Sequence, residues 1–324
     1  MDIYVKKAII HQFSPDDTDL YLADKFLNIT PKIEEYLRKK IERVYSDEAR
    51  TGIFEEDNPF LEMISDDLLE TSVVVANRWK EEFVVSENQK TNDLVFVEFS
   101  KEGVDHFAFL RIALRETLTH LGGEVDNPIK LTQNNLPGFG TGADEALVIN
   151  LQSRKYHLIE KRIKYNGTFL NYFSENLLQA QPKISPKKSI KALEKTAQKI
   201  AESFNTDDFQ FQSKVKTAIF NHIEEENKLS PEKLADDLFD DNLTARLSFI
   251  DQVKEAVPEP VTFEEIDASR QLKKFENQKL SLSNGIELIV PNNVYEDAES
   301  VEFILNENGT YSILIKNIED IQSK

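Results

Sequence analysis

The sequence predicts an α+β fold, and two patterns support this class. Apolar and polar residues alternate near both ends of the chain, as they do in strands with one buried face. In the middle of the chain, apolar residues instead recur every three or four positions, which is typical of amphipathic helices. We therefore expect three regions: a mixed domain of β-hairpins and helices over 1–165, a helical region with a basic face over 166–275, and a small β-hairpin region over 276–324.

The first elements are predicted from turn and capping signals. Residues 2–13 and 20–29 have the composition of two strands that form a hairpin. Thr30 and Pro31 supply an N-cap and an N1 proline, so a helix is expected to begin there. The remaining elements expected in this stretch are a loop over 50–59 and helices over 59–70 and 72–85.

The next elements are predicted from alternation. Residues 92–114 alternate in two runs around Lys101-Glu102-Gly103, which predicts a β-hairpin. Residues 122–145 are rich in Gly, Asn and Pro and are expected to form a loop. Residues 146–163 alternate again and predict another pair of strands.

Helices are expected to dominate after Asn166-Gly167. A Pro-rich stretch at 257–261 then breaks the helical pattern. From Lys279 onward the chain is strand-like, with turns expected at Asn284-Gly285 and Asn308-Gly309. The expected helices cover residues 168–179, 186–204, 209–226, 231–239 and 243–256.

The charge of the chain is unevenly distributed. The 324 residues carry a formal net charge of −19, yet residues 151–200 hold 11 Lys or Arg against three Glu, a local charge of +8. The rest of the chain therefore carries −27. Such an asymmetry indicates a localised surface for an anionic partner.

Lysines form a stripe on the helix expected over 186–204. They recur every four residues from Lys187 to Lys199, so they share one face and repel each other by roughly 0.2–0.5 kcal/mol per pair. The apolar residues fall on the opposite face. Two interpretations stay open: a solvated face neutralised by acidic helices at 224–227 or 236–242, or a face that binds phosphates.

The sequence offers no catalytic, metal or cofactor site. Cysteine is absent, which excludes disulfides, thiol nucleophiles and cysteine-ligated zinc. The five histidines show no metal-ligand spacing, and the Gly-rich residues 137–145 lack the ending of a P-loop. No apolar run is long enough to span a membrane, and the N-terminus lacks a signal-peptide pattern. We therefore expect a cytoplasmic, non-enzymatic protein without membrane contact, metal or cofactor.

Several stretches resemble the bacterial nucleoid-associated protein family, whose members are cytoplasmic and of about this length. They include "KKAIIHQF", "VYSDEARTGIF", "KYHLIEKRIKYNGTFLNYFSENLL", "KKSIKALEKTA" and "GIELIVP", in this order along the chain. The resemblance implies association with chromosomal DNA, or with proteins that act on it, and no established enzymatic activity. The positions that it carries over are Lys161, Arg162, Lys164, Gly167, Lys187, Lys188 and Lys191.

We expect a nucleoid-associated protein that binds double-stranded DNA weakly and without sequence preference, by backbone contacts from the basic segment. The alternative is an acidic protein-interaction module that mimics the charge of DNA and docks on a DNA-processing enzyme. Either reading leaves homo-oligomerisation open. The expected nucleic-acid-binding residues are Lys161, Arg162, Lys164, Lys183, Lys187, Lys188, Lys191, Lys195 and Lys199.

Overall fold

The fold is α+β, as the sequence predicts. A computed structural model describes residues 1–16, 18–83, 90–120, 129–205, 209–263 and 265–322. The chain divides into two compact units, Met1–Ser185 (unit 1) and Pro186–Lys324 (unit 2). The expected boundaries at 165 and 275 each lie inside one of these units, and the division into three regions stays a prediction.

Unit 1 is organised around a seven-stranded antiparallel sheet. The strands of this unit are β1 (Ile3–Ser14), β2 (Asp19–Tyr21), β3 (Arg50–Ile53), β4 (Asn92–Lys101), β5 (Val104–Ala113), β6 (Arg115–His120), β7 (Ile129–Asn135), β8 (Glu145–Asn150), β9 (Lys155–Ile159), β10 (Ile163–Tyr165) and β11 (Thr168–Leu170). The order across the sheet is β2-β1-β4-β5-β8-β9-β3. Two further hairpins, β6–β7 and β10–β11, pair separately from it.

Helices cover both faces of this sheet. On one face, α2 (Leu68–Phe83) packs through a cluster that includes Trp79 and Phe96. On the other face, α1 (Pro31–Glu42) packs through a cluster that includes Ile41 and Val97. Because successive residues of β4 point to opposite faces, Phe96 and Val97 enter different clusters.

The predicted start of α1 and the predicted β4–β5 hairpin are confirmed. Thr30 Oγ1 accepts a hydrogen bond from the Ile33 amide at 3.4 Å, and Pro31 opens the helix. In the hairpin, Asn92 lies opposite Ala113 and Lys101 lies opposite Val104, so the turn falls where alternation placed it.

The strand expected over 20–29 is shorter than predicted. Within this stretch only Leu20 and Tyr21, which belong to β2, form a ladder with β1. The following residues are held to β1 by single hydrogen bonds. The Ala23 amide donates to His11 Nδ1 at 3.0 Å, and the Leu27 amide donates to the Ala8 carbonyl at 2.8 Å. These isolated contacts replace the regular ladder that a second long strand would need.

The loop expected over 50–59 contains an edge strand. β3 pairs with β9, and Gly52 lies opposite Tyr156. The Tyr156 ring occupies the space that a Cβ at Gly52 would need, which explains why this strand carries a glycine. A glycine in so short a strand gives no alternation signal, and the sequence prediction was therefore wrong here.

The helix expected over 59–70 is also wrong. The chain forms a short 3₁₀ turn at Leu61–Met63, and α2 begins only at Leu68. The Asn58 side chain holds the preceding turn, because it accepts from the Phe60 amide at 2.9 Å and donates to the Leu178 carbonyl at 3.1 Å. The expected end of the next helix, at residue 85, lies outside the described residues.

Two further predictions in unit 1 need correction. The loop expected over 122–145 includes β7, which pairs with β6, although 122–128 lie outside the described residues. The hydroxyls of Thr119 and Thr132 meet across this hairpin at 3.0 Å. The helix expected over 168–179 is replaced by β11 and a π-helical turn at Phe173–Leu177, because Asn166 and Gly167 adopt positive φ and reverse the chain.

Unit 2 has a helical core followed by two β-hairpins. Its helices are α3 (Pro186–Ser203), α4 (Phe209–Glu226), α5 (Pro231–Leu238), α6 (Leu243–Ala256), α7 (Ser269–Phe275) and α8 (Asn292–Tyr295). Its strands are β12 (Lys228–Leu229), β13 (Val261–Thr262), β14 (Asn277–Ser281), β15 (Glu287–Pro291), β16 (Val301–Leu305) and β17 (Tyr311–Ile315). The predicted helices α3 to α6 and the predicted C-terminal hairpins are confirmed, whereas α7 was not predicted.

Candidate nucleic-acid interface

The basic face of unit 2 is built on α3. This 18-residue helix begins at Pro186 and packs mainly on α6 and α4. Its apolar face is buried as predicted, with Ile190, Leu193, Ala197 and Ile200 each at most 2% exposed. Because these positions face inward, the helix turns its lysines to solvent. These exposed lysines form the basic face, which consists of Lys187, Lys188, Lys191, Lys195 and Lys199.

The basic face has few counterions. Lys188, Lys191 and Lys195 form no ion pair with any described residue. Lys199 Nζ donates to the neutral Gln252 side chain at 3.0 Å. Between Pro186 and Ala201 the helix has one acid, Glu194, which pairs with Lys274 of α7 at 3.6 Å.

Three of the acids expected to neutralise this face, all from the 236–242 stretch, are engaged elsewhere. Asp236 pairs with Arg246 at 2.9 Å. Asp240 pairs with Lys214 at 3.1 Å, and this contact lowers the pKa of Asp240. Asp237 Oδ2 lies 2.7 Å from His222 Nε2. None of these three carboxylates pairs with α3 within the described part of unit 2.

The first turn of α3 concentrates positive potential. It contains Lys187 and Lys188 and no acidic residue. A helix N-terminus already carries a partial positive charge, so cations there are unfavourable unless an anion approaches. The same end of a helix offers amide groups that suit phosphate oxygens.

Unit 1 by itself has a basic and aromatic hairpin, β10–β11. Ile163 is buried and anchors it, and Lys164 lies opposite Phe169. The Phe169 side chain is 61% exposed. Arg162 is exposed and forms no ion pair with the described residues.

Two other predicted residues of unit 1 are held by specific contacts. Lys161 Nζ lies 2.6 Å from Asp144 Oδ1. Burial disfavours the charged form of Asp144, but the bonds from Lys161 and the Ala113 amide outweigh it and lower the pKa of the carboxyl group. Lys183 is exposed, and its amide donates to the Thr51 carbonyl at 2.8 Å.

Unit 1 contains a buried polar network that sequence reasoning missed. Arg111 Nε donates to Glu145 Oε2 at 2.6 Å, and the Tyr172 hydroxyl donates to the same oxygen. Burial raises the pKa of Tyr172 well above its usual value, so the hydroxyl keeps its proton. Trp79 Nε1 donates to the Tyr172 oxygen at 3.0 Å, which links α2 to β5 and β8. No sequence motif marks these residues, because they meet only through the sheet.

His11 and Ser72 have the spacing of a nucleophile and its base but not the required proton arrangement. His11 Nε2 lies 2.9 Å from Ser72 Oγ. His11 Nδ1 accepts the Ala23 amide, so the proton of the neutral ring lies on Nε2, and burial lowers the pKa of the ring. The Ser72 hydroxyl in turn donates to the Leu69 carbonyl at 2.8 Å. His11 therefore donates to Ser72 and cannot withdraw its proton in this arrangement.

The Gly-rich loop binds a lysine of the protein itself. Lys40 Nζ donates to the carbonyls of Pro137, Gly138 and Thr141 at 3.3, 3.0 and 2.5 Å. Carbonyl oxygens that converge on a cation cannot also cradle a phosphate, which agrees with the missing P-loop ending. Burial lowers the pKa of Lys40 to about 8, and the nearby Arg43 contributes in the same direction.

Within the described residues, no group of three or more His, Cys, Asp or Glu side chains could hold a metal ion. No helix of the described part combines the length and apolar character that a membrane span requires.

The chain belongs to the nucleoid-associated proteins, as the resemblance indicated. The matching family is described as "Nucleoid-associated protein YejK", and the match covers residues 9–321, nearly the whole chain. Among curated proteins, none matches the chain.

Proposed function

We propose that this protein contacts the DNA backbone non-specifically through the basic face of α3, without catalysing a reaction, and that it works in the cytoplasmic nucleoid. One observation carries the proposal. Lys188, Lys191 and Lys195 are exposed on one rigid helix and form no ion pair among the described residues. Their mutual repulsion is relieved only when an anion binds.

Duplex DNA suits such a face. Lys188 and Lys195 lie seven residues apart, or about 10 Å along the helix axis at roughly 1.5 Å per residue. A duplex carries one negative charge per about 1.7 Å of its axis, so several phosphates lie within reach of this span. Lysine makes point-charge contacts with phosphate and does not read bases, and sequence preference is therefore not expected.

Basic residues of unit 1 are also proposed to contact the DNA backbone. Arg162 supplies an exposed cation that forms no ion pair with the described residues, and Lys164 adds a second basic side chain on a hairpin that also exposes an aromatic ring. Lys183 completes the set near the end of the unit. The chain outside residues 151–200 carries a net charge of −27 and therefore repels DNA. We expect dissociation constants for DNA in the micromolar range or weaker.

A salt titration tests the proposal. Binding of two duplexes of the same length and unrelated sequence is measured by fluorescence anisotropy at several salt concentrations. With about four to six phosphates contacted, the slope of log K against log salt is expected to be roughly −4 to −5 for both duplexes. Absence of binding at low salt would contradict the proposal, and so would a strong preference for one duplex.

A second candidate function rests on the acidic remainder of the chain. The net charge of −27 outside residues 151–200 suits an interaction module that mimics the charge of DNA and docks on a basic DNA-processing enzyme. In that case the titration gives no DNA binding. The protein instead competes with duplex DNA for a basic ligand such as polylysine.

A further inference from the structure

Unit 2 contains an apolar cleft that the proposed function does not use. The cleft lies between the hairpins β14–β15 and β16–β17 and has a volume of about 920 Å³. Phe209 of α4 also lines it, with ring centroids 5.1 Å from Phe303 and 5.2 Å from Tyr311. This volume lies at the upper end of the range for binding pockets in proteins.

Each hairpin presents one face to the cleft. In β15, Leu288 lines the cleft, and its neighbour Ile289 does not. In β17, Ile313 and Ile315 line it, and Leu314 between them does not. This alternation is expected of strands, in which successive side chains point to opposite faces. β14 departs from this pattern, because Lys279, Leu280 and Ser281 all line the cleft. The walls therefore combine apolar faces of β15 and β17 with a mixed polar and apolar stretch of β14.

The walls are only partly covered. Ile286 is 50% exposed and Tyr311 is 53% exposed, although both line the cleft. Two-stranded hairpins are at best marginally stable in water without a packing partner. In the described part of the chain no third strand pairs with either hairpin, so both keep free edges. Exposed apolar faces beside free strand edges are typical of sites that accept an extended segment.

The net charge of the region around the cleft indicates what kind of partner binds there. Residues 276–324 hold nine Asp or Glu against three Lys, a net charge of −6. Glu287 lies between two cleft residues in sequence, and Glu307 lies in the turn that brings Gly309 to the cleft. Neither acid forms an ion pair with the described residues. Lys279 is the charged residue among those that line the cleft, but the surrounding region carries the net charge of −6. This net charge disfavours nucleic acid and the same acidic region of a second copy, and it favours a basic partner.

We propose that the cleft is a docking site for an extended segment of a basic partner protein, in which apolar side chains alternate with Lys or Arg. The apolar side chains enter the cleft between the two strand faces. The basic side chains point the other way along the segment and meet Glu287 and Glu307. Apolar burial supplies the affinity, and the acidic surroundings select the partner.

Peptide binding to the full chain tests this docking site. The probe is a labelled peptide of alternating valine and lysine, used at concentrations at which the free peptide is monomeric. A valine–glutamate peptide tests the charge requirement, and a serine–lysine peptide tests the apolar requirement. We expect only the valine–lysine peptide to bind measurably above the level of the other two.

Two substitutions, one directly before β15 and one within it, form a matched pair. Ile286→Lys places a charge at the cleft, and Ile289→Lys places the same charge on the opposite face of β15, where the side chain is 65% exposed. Both native side chains are at least half exposed, so both variants are expected to fold. We expect Ile286→Lys to weaken binding of the valine–lysine peptide by roughly tenfold or more, and Ile289→Lys to change it by less than about twofold.

Three results would overturn the proposal. In the first, the serine–lysine or valine–glutamate peptide binds as well as the valine–lysine peptide. In the second, the two substitutions weaken binding equally, which would place the peptide outside the cleft. In the third, sedimentation shows self-association of the parent protein that Ile286→Lys abolishes, which would identify a second copy as the occupant.

Discussion

Glu194 of α3 pairs with Lys274 of α7, with Oε2 and Nζ 3.6 Å apart. Glu194 is the one acidic residue in the first sixteen positions of a helix that carries five lysines. Its carboxylate is thus directed to a neighbouring helix, and Lys188, Lys191 and Lys195 form no ion pair among the described residues. This relationship leaves the basic face available to an external anion.

The apolar face of α3 is expected to be essential for the stability of unit 2. Leu193 is fully buried against a cluster that includes Phe249 of α6. We expect Leu193→Ala to lower the free energy of unfolding by roughly 2–5 kcal/mol, because it removes buried methyl groups and leaves a cavity. Urea unfolding measures the change. Lys191→Ala is the control on the solvent face, and an equal effect of both substitutions would contradict the orientation of the helix.

A glycine is expected to be required at position 52 because the ring of Tyr156 packs against it, and not because of its backbone conformation. A Cβ at this position would overlap the ring of Tyr156, which is buried. We expect Gly52→Ala to lower the free energy of unfolding by about 1–3 kcal/mol through overpacking. Gly138→Ala is the control, since a Cβ there meets no atom within 4 Å. Similar melting temperatures for the two variants would contradict the close approach of Tyr156.

Lys40 is expected to make the free energy of unfolding depend on pH in the alkaline range. Its pKa in the folded state is about 8, below the usual 10.5, chiefly because the ammonium group is buried. Between these two values the unfolded chain binds more protons than the folded chain, and the free energy of unfolding therefore rises with pH. Tyr36, which shares the Pro137 carbonyl with Lys40, has its pKa raised to about 12 by burial, so its hydroxyl keeps its proton in the folded state across this window.

Comparison with Lys40→Met isolates this effect. The variant keeps the length of the side chain and removes its charge. We expect the stability of the parent to increase relative to that of the variant as pH rises from about 8 to 10.5. A difference that stays constant with pH would show that the three carbonyls offset the effect of burial, and one that falls with pH would show that they outweigh it.

The β10–β11 hairpin is expected to contribute to DNA binding if the basic segment acts as a whole. Arg162→Glu should weaken binding to all duplexes about equally and reduce the magnitude of the salt slope by about 1. Lys130→Glu is the control, because Lys130 is an exposed cation on the other separate hairpin of unit 1. Equal DNA affinities of the two variants would remove the hairpin from the proposed surface.

The parts of the fold with strong periodicity could be predicted from the sequence. The apolar residues of α3 recur at helical spacing after a proline, and the two ten-residue strands of the β4–β5 hairpin are largely apolar runs on either side of a Lys-Glu-Gly turn. Elements that depend on distant partners could not be predicted. β3 exists because Gly52 fits beneath Tyr156, and the turn at Asn58 is held by Leu178, which is 120 residues away in sequence.

For the candidate site, the sequence located the lysines but not their partners. The spacing of Lys187, Lys191 and Lys195 predicted one exposed face, and the structure places these side chains in solvent. Which cations are neutralised depends on contacts between elements, such as that of Lys161 with Asp144. The cleft between the C-terminal hairpins was not predicted either, because alternation reveals the faces of strands and not the gaps between hairpins.

Charge reversal on the basic face tests the central claim most directly. The variant combines Lys188→Glu, Lys191→Glu and Lys195→Glu. A matched control reverses three other exposed lysines of unit 2, at Lys228, Lys254 and Lys273, so that both variants change the net charge equally. Circular dichroism verifies that both fold, since none of these side chains is buried.

DNA affinity is then measured for the parent and both variants across a range of salt concentrations. We expect the reversal on the basic face to weaken binding about equally for all sequences and to reduce the magnitude of the salt slope by about 2.7, from three lost contacts at about 0.9 each. The control should weaken binding less and keep the slope of the parent. If the basic-face variant folds and binds DNA as well as the parent does, the basic face of α3 is not the DNA-binding surface.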